Sequence, residues 1–163
     1  MNHELPWIAE RARLFRDSDA DFARWARGFG PIVHQDLTQL RVHELAQVLV
    51  AGGKASDAAS VYRTLWAADR LAAAGMWLTV HMTYADRVYP DGREMAAEDF
   101  KGTPEGHTGG SLNIVPAYVG YLAANALSGL TRGWLMGQGH CVAGIDACNL
   151  LVGNMTPRHA ERY

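Results

Sequence analysis

Lysine is nearly absent from this chain: Lys54 and Lys101 stand alone, and the other 13 of its 15 cations are arginines. Together with heavy alanine use, that bias reflects base composition rather than function. Charge of one sign is also lacking, since 15 basic residues face 17 acidic ones for a net charge of −2. No basic excess exists to hold a phosphate backbone, so nucleic acid is not an expected partner. The two cysteines, Cys141 and Cys148, are too few for a disulfide framework, and no His/Cys set has zinc spacing. On a helix they would lie about 10.5 Å apart, too far to bridge, and they read as small buried hydrophobes. Long apolar runs are missing as well. From Gly106 to Thr131 no residue is formally charged, but His107, Asn113, Pro116 and Asn125 interrupt the stretch. A helix buried in protein fits that pattern better than a membrane span. Residues Met1 to Arg16 mix charges with apolar side chains and contain no signal-type hydrophobic region. The expected location is cytoplasmic, with no membrane partner.

What is there is the balance of a globular protein: 48% apolar and 20% charged over 163 residues, enough for one domain with a core. No internal repeat, low-complexity tract or linker occurs. Asp19 to Gly28 reads as a short helix, broken at Gly28-Phe29-Gly30-Pro31. Val42 to Val50 reads as a second, ended by Gly52-Gly53. Ser56 has the capping position for a third, with Val61, Leu65, Ala68, Leu71 and Ala72 as its apolar stripe. Trp77 to Tyr89 is ambiguous between helix and a short alternating strand. Pro90-Asp91-Gly92 turns the chain, and Arg93 to Phe100 is charged and expected to be exposed.

Gly102 to Ser111 is a glycine-rich loop, followed by a helix from Leu112 to Leu127. Asn113 can cap that helix, placing Pro116 in its first turn, where a missing N–H is harmless. Gly133 to Met136 is a candidate buried strand. Gly137-Gln138-Gly139-His140 then turns tightly into a helix from Cys141 to Leu151. Loop, helix, strand, loop and helix in this order make an α/β pattern. Thr156-Pro157 is a strong helix start only a few residues before Tyr163. It fits either a fraying terminal helix or a cut through a longer protein.

Among the seven histidines, His3 and His159 are near the termini. His34 and His43 have polar neighbours and are expected at the surface, and His81 reads as a satisfied core residue. His107 and His140 differ, because each sits in a glycine-rich turn that opens a helix. Glycine lets backbone approach a ligand closely, and a helix N-terminus favours anions. A histidine there can bond an oxyanion or shuttle a proton near neutral pH. The spacing is consistent with a phosphate or sugar-phosphate site and equally with two structural loops. No Gly-Lys-Ser/Thr follows, so neither turn is a Walker loop.

The segment Gly106-His107-Thr108-Gly109-Gly110-Ser111-Leu112, with Pro116 downstream, resembles the first histidine motif of transketolases. Gly137-Gln138-Gly139-His140 is similar to their second histidine turn, and more so to the Gly-Pro-Gly-His turn of phosphoketolases. Leu65-Trp66-Ala67-Ala68-Asp69-Arg70-Leu71 through Gly75-Met76-Trp77-Leu78 resembles the tryptophan-containing helix that begins phosphoketolases, as does the Leu112-Asn113 pair. The resemblance runs from about Asp57 to Asn154, with three motifs in the same order. It departs at Gln138, where phosphoketolases have proline, and in the transketolase-like Gly-His-Thr-Gly wording.

The resemblance implies a thiamine-diphosphate enzyme with magnesium, acting on xylulose 5-phosphate or a related ketose phosphate. His107 and His140 would be its catalytic histidines. Gly106, Gly109, Gly110, Ser111, Gly139 and His140 would approach the cofactor. Phosphoketolase, a carbon–carbon lyase, leads; transketolase and xylulose 5-phosphate epimerase chemistry use the same scaffold. The family's Gly-Asp-Gly segment and magnesium-ligating Asn have no counterpart, since Asp146 lies in a helix pattern and Gly153-Asn154 lacks the preceding acid. The expectation is therefore a helix-rich first part of the diphosphate-binding fold: an N-terminal helical arm over 1–55 and the start of the cofactor domain over 56–163. A homo-oligomer or a partner chain would complete the site. The competing reading is a non-catalytic helical domain that associates with another chain.

Overall fold

The computed structural model describes residues 6–89, 91–104, 106 and 108–161. They form helices α1 (Pro6–Ser18), α2 (Ala20–Ala26), α3 (Asp36–Ala51), α4 (Ala58–Tyr84), α5 (Thr108–Ser128), α6 (Val142–Leu151) and α7 (Pro157–Ala160). Short 3₁₀ turns occupy Ala97–Asp99 and Gly139–Cys141. The expected helix richness holds. No strand forms among the described residues, where β-pairing is limited to isolated bridges, Phe29 with Ile32 and Ala85 with Phe100.

The expected α/β pattern is corrected to an all-helical one among the described residues, since neither strand candidate forms. Trp77 to Tyr84 belongs to α4, because its threonines are satisfied inside a helix. Thr79 Oγ1 donates to the Gly75 carbonyl at 2.7 Å and Thr83 Oγ1 to the Thr79 carbonyl at 2.9 Å. Gly133 to Met136 is irregular, and Leu135 is 97% exposed rather than buried. A four-residue apolar run with no strand beside it has no ladder to join.

The chain divides into two compact units, Met1–Arg70 with Leu122–Arg132, and Leu71–Tyr121 with Gly133–Tyr163. In the first, the Asp19 carboxylate caps α2 by accepting from the Asp21 and Phe22 amides at 2.9 Å each. The break after α2 is built around Gly28, at φ +68, where a Cβ would lie 2.0 Å from the Ile32 carbonyl oxygen. Only glycine fits there. Helix α3 begins at Asp36, six residues before the expected Val42. Helix α4 is capped by Asp57, whose Oδ1 accepts from the Ser60 amide at 2.6 Å, and not by Ser56. The core gathers Phe22, Trp25, Ala46, Val61 and Tyr62. Its aromatic rings meet edge-on, with Phe22 and Tyr62 centroids 5.1 Å apart at 73°.

In the second unit Leu78, Thr79, Val115 and Cys148 are fully buried. The helices approach through glycines: a Cβ on Gly75 would lie 2.9 Å from Cys148 Sγ, and one on Gly144 2.5 Å from the Ser111 carbonyl oxygen. That packing explains why α5 starts at Thr108, drawing Gly109, Gly110 and Ser111 into a helix expected to begin at Leu112. Asn113 is thus interior rather than a cap. Pro116 stands inside α5, where it cannot donate to the Leu112 carbonyl four residues back. The Arg93 to Phe100 stretch is not wholly exposed. Asp99 is buried, accepting from the Ala96 amide at 2.9 Å and the Tyr89 hydroxyl at 2.8 Å. These two donors hold its carboxyl below the usual range.

Candidate functional site

The two glycine-rich turns meet. Ser111, buried in the first turn of α5, donates its Oγ to the His140 carbonyl at 2.8 Å. Next to it, a Cβ on Gly110 would lie 2.9 Å from His140 Cδ2, 3.1 Å from Nε2 and 3.3 Å from Cys141 Sγ. The imidazole therefore rests on bare backbone, in space that any side chain at position 110 would fill. Cys141 is buried beneath the turn, its Sγ 3.6 Å from Gln138 Oε1. His140 itself is exposed.

The other residues of the sequence-derived site lie around this contact. Gly139 is exposed, and no atom lies within 4 Å of where its Cβ would be. Gly109 is exposed on the first turn of α5. Gly106 has φ +117, and among the described residues Thr83 Cγ2, at 3.6 Å, lies near its side-chain direction. His107 lies outside the described residues. The structure thus joins Gly110 and Ser111 to His140 and leaves Gly106, Gly109 and Gly139 exposed, in no such contact with it. Helix-start N–H groups of α5 border the same contact. Sequence reasoning passed over Cys141 and Gly144 as partners in this arrangement. Their signal was the short interval between two small residues just after the second turn.

Three other histidines depart from expectation. His34 is not at the surface: its side chain is 12% exposed, and Nε2 lies 2.7 Å from Asp69 Oδ2. Its ring stacks on Trp25 at 4.4 Å. His43 stacks on Phe15 at 3.7 Å and shares a 3.0 Å hydrogen bond with the Tyr62 hydroxyl. His81 is half-buried against Trp77 rather than in the core, and its buried Nδ1 has no hydrogen-bond partner among the described residues. Burial holds the His81 pKa below its ordinary value. Near the end of the chain, His159 Nε2 lies 3.4 Å from Oδ2 of the buried Asp146.

Among the described residues no group of histidine, cysteine or carboxylate side chains could hold a metal ion. Burial pushes the Cys148 thiol up to about 11, so it stays protonated and unreactive. No described helix is long and apolar enough to cross a membrane, α5 included. No family model, curated protein or solved structure matches the chain.

Proposed function

We propose that the paired turns at Gly106–Ser111 and Gly137–His140 form the histidine-bearing part of a ketose-phosphate site of phosphoketolase type, the chemistry that their resemblance implies. The observation that supports this reading is the Ser111–His140 hydrogen bond with the imidazole seated on Gly110. Two segments far apart in sequence are bound into one exposed surface, with a titratable donor at its centre. His140 there can donate to a substrate hydroxyl or carry a proton at a ring nitrogen, and α5 N–H groups favour a phosphate. Glycine at 110 keeps the imidazole close to the helix start.

Thiamine diphosphate with magnesium fits this chain only in part. His140 and the start of α5 could meet a substrate hydroxyl or phosphate, but the space over Gly110 is taken by the imidazole itself. The metal and diphosphate need several oxygen ligands, and the described residues assemble no such group. No step is therefore derived through the cofactor. Xylulose 5-phosphate is the substrate favoured, in a cytoplasmic protein that associates with itself or with a second chain to complete the site.

Backbone NMR during titration with xylulose 5-phosphate tests the proposal. Signals of Gly109, Gly110, Ser111 and Gly139 are expected to move together, and His140→Ala to abolish the response. Movement with no preference for these residues would overturn it. In the complete assembly, with thiamine diphosphate and magnesium added, mass spectrometry separates the chemistries: acetyl phosphate for a phosphoketolase, ketol exchange for a transketolase, an epimer for an epimerase.

A non-catalytic interaction domain is the second reading, favoured by exposed apolar side chains such as Leu130, Leu135 and Val152. It predicts self-association in light scattering and no response of the turns to sugar phosphate.

A further inference from the structure

A cavity of about 280 Å³ opens on the first unit, against α1 and α3. Trp7, Phe15, Leu37 and Leu40 form its apolar walls, with Arg11 and His43 among them. Trp7 and Leu37 are 53% and 47% exposed, so two large apolar surfaces stand open at its mouth.

Arg11 and His43 both offer hydrogen donors, and Arg41 and the Glu44 carboxylate complete the polar part of the lining. Arg11 has its guanidinium 5.8 Å from the Phe15 ring centroid and takes part in no ion pair among the described residues. The neighbouring Arg41 is different, because Glu44 holds it at 2.9 Å. These three charges sum to +1, and the unmatched one is Arg11.

His43 is fixed in place by stacking on Phe15 and by the bond between Nδ1 and the Tyr62 hydroxyl. Tyr62 is wholly buried, and burial pushes its pKa up to about 12, so the phenol keeps its proton. Burial and the Arg11 charge lower the His43 pKa, against smaller opposing effects of Asp19 and Glu44. A neutral imidazole that accepts from Tyr62 at Nδ1 carries its own proton on Nε2. That nitrogen takes part in no hydrogen bond among the described residues.

We propose that this cavity binds a small aromatic carboxylate, with its ring on the Trp7, Phe15 and Leu37 surfaces and its carboxylate on Arg11 and His43 Nε2. The chemistry of the lining selects against the alternatives. A cation would face Arg11 while the one carboxylate of the lining, Glu44, is already held by Arg41, and a neutral hydrocarbon would strip water from two donors without replacing it. A phosphate ester would bring about two negative charges to a lining of net charge +1 that includes the Glu44 carboxylate. The volume admits one ring with its acid group, at the low end for small-molecule sites.

Benzoate is the probe, followed by ¹⁵N and indole NMR on the chain itself, with benzamide as the uncharged isostere. Benzoate is expected to shift Trp7, Arg11, Leu37 and His43 with a Kd on the order of 1 mM, and benzamide to bind at least about tenfold more weakly. Arg11→Met keeps the side chain's apolar stem and removes its charge. It is expected to weaken benzoate about tenfold while leaving benzamide unchanged. Arg11 is exposed, so the fold does not depend on it. Equal binding of benzoate and benzamide would overturn the proposal by showing an apolar patch alone. So would benzoate shifts that avoid these residues, or an Arg11→Met variant that binds benzoate as well as the parent does.

Discussion

His34 and Asp69 lie 35 positions apart in sequence and 2.7 Å apart in space, with side chains only 12% and 11% exposed. The pair ties the segment after α2 to the middle of α4. The His34 carbonyl also accepts from Gln39 Nε2 at 2.8 Å, extending the tie to α3. His34→Ala leaves the Asp69 carboxylate without its partner and empties the face of Trp25. Urea unfolding is expected to show a loss of about 3 kcal/mol. A loss under about 0.5 kcal/mol would mean that the pair does not bind these segments together.

Acid should destabilise the fold through two other histidines. His43 and His81 both have pKa values lowered from 6.5, chiefly by burial. The unfolded chain therefore binds protons that the folded one refuses. Their contribution is complete above about pH 6.5 and is lost as pH falls through the lower folded values. The urea midpoint should be higher at about pH 7.5 than at about pH 5, with most of the decline below about pH 6.5. A midpoint that rises on acidification would contradict this account of both residues.

His81→Phe should stabilise the protein. The ring keeps its 3.8 Å contact with Trp77, and the unpartnered buried nitrogen disappears. A gain of about 1 kcal/mol at neutral pH is expected, with a flatter acid limb. Thermal melts of parent and variant at the two pH values measure both effects.

Two glycine substitutions should act in opposite directions. At Gly144 a Cβ meets the Ser111 backbone oxygen at 2.5 Å, whereas at Gly120 nothing lies within 4 Å. Gly144→Ala must push α5 and α6 apart at a cost of about 1–3 kcal/mol. Gly120→Ala, on an exposed helical position, should gain about 0.5–1 kcal/mol. Chemical denaturation of both variants checks the contrast.

In a complete enzyme, with the site finished by a further chain or copy, His140→Ala is expected to lower kcat/KM by about 10²-fold, or about 2.7 kcal/mol of transition-state stabilisation. Gly110→Ala should approach that loss without touching the imidazole's chemistry, because its methyl group occupies the ring's seat. Steady-state kinetics on the two variants decides. His34 and His43 are unsuitable controls, since each is held in buried contacts.

Punctuation between helices could be read from residue types. Asp19 caps α2, Gly28 breaks the chain, Gly52 ends α3, and Thr156-Pro157 opens α7. These signals are local, so no tertiary knowledge is needed. What failed depends on distant partners. The burial of His34 and His43 rests on Asp69 and Tyr62, 35 and 19 positions away. The early start of α5 runs against glycine's poor helix propensity, about 1 kcal/mol per residue, and is compensated by close packing around Gly110 and Gly144. The strand alternatives failed because Thr79 and Thr83 found acceptors in their own helix. Of the candidate site, Gly110, Ser111 and His140 were legible as a set, since turn composition marked them. Their mutual contact was not, because sequence alone does not show which turns meet.

Pro116 gives α5 a mechanical property as well as a shape. An unbroken helix transmits displacement as a rod, because each hydrogen bond resists the tilt of the next turn. At Pro116 one rung is missing. That missing rung lies between the turn bearing Gly109, Gly110 and Ser111 and the half that carries Tyr118, whose hydroxyl is anchored to Asn149 Oδ1 at 2.8 Å. Tilting the first turn of α5 against the half anchored through Tyr118 thus costs one hydrogen bond less than it would in an unbroken helix.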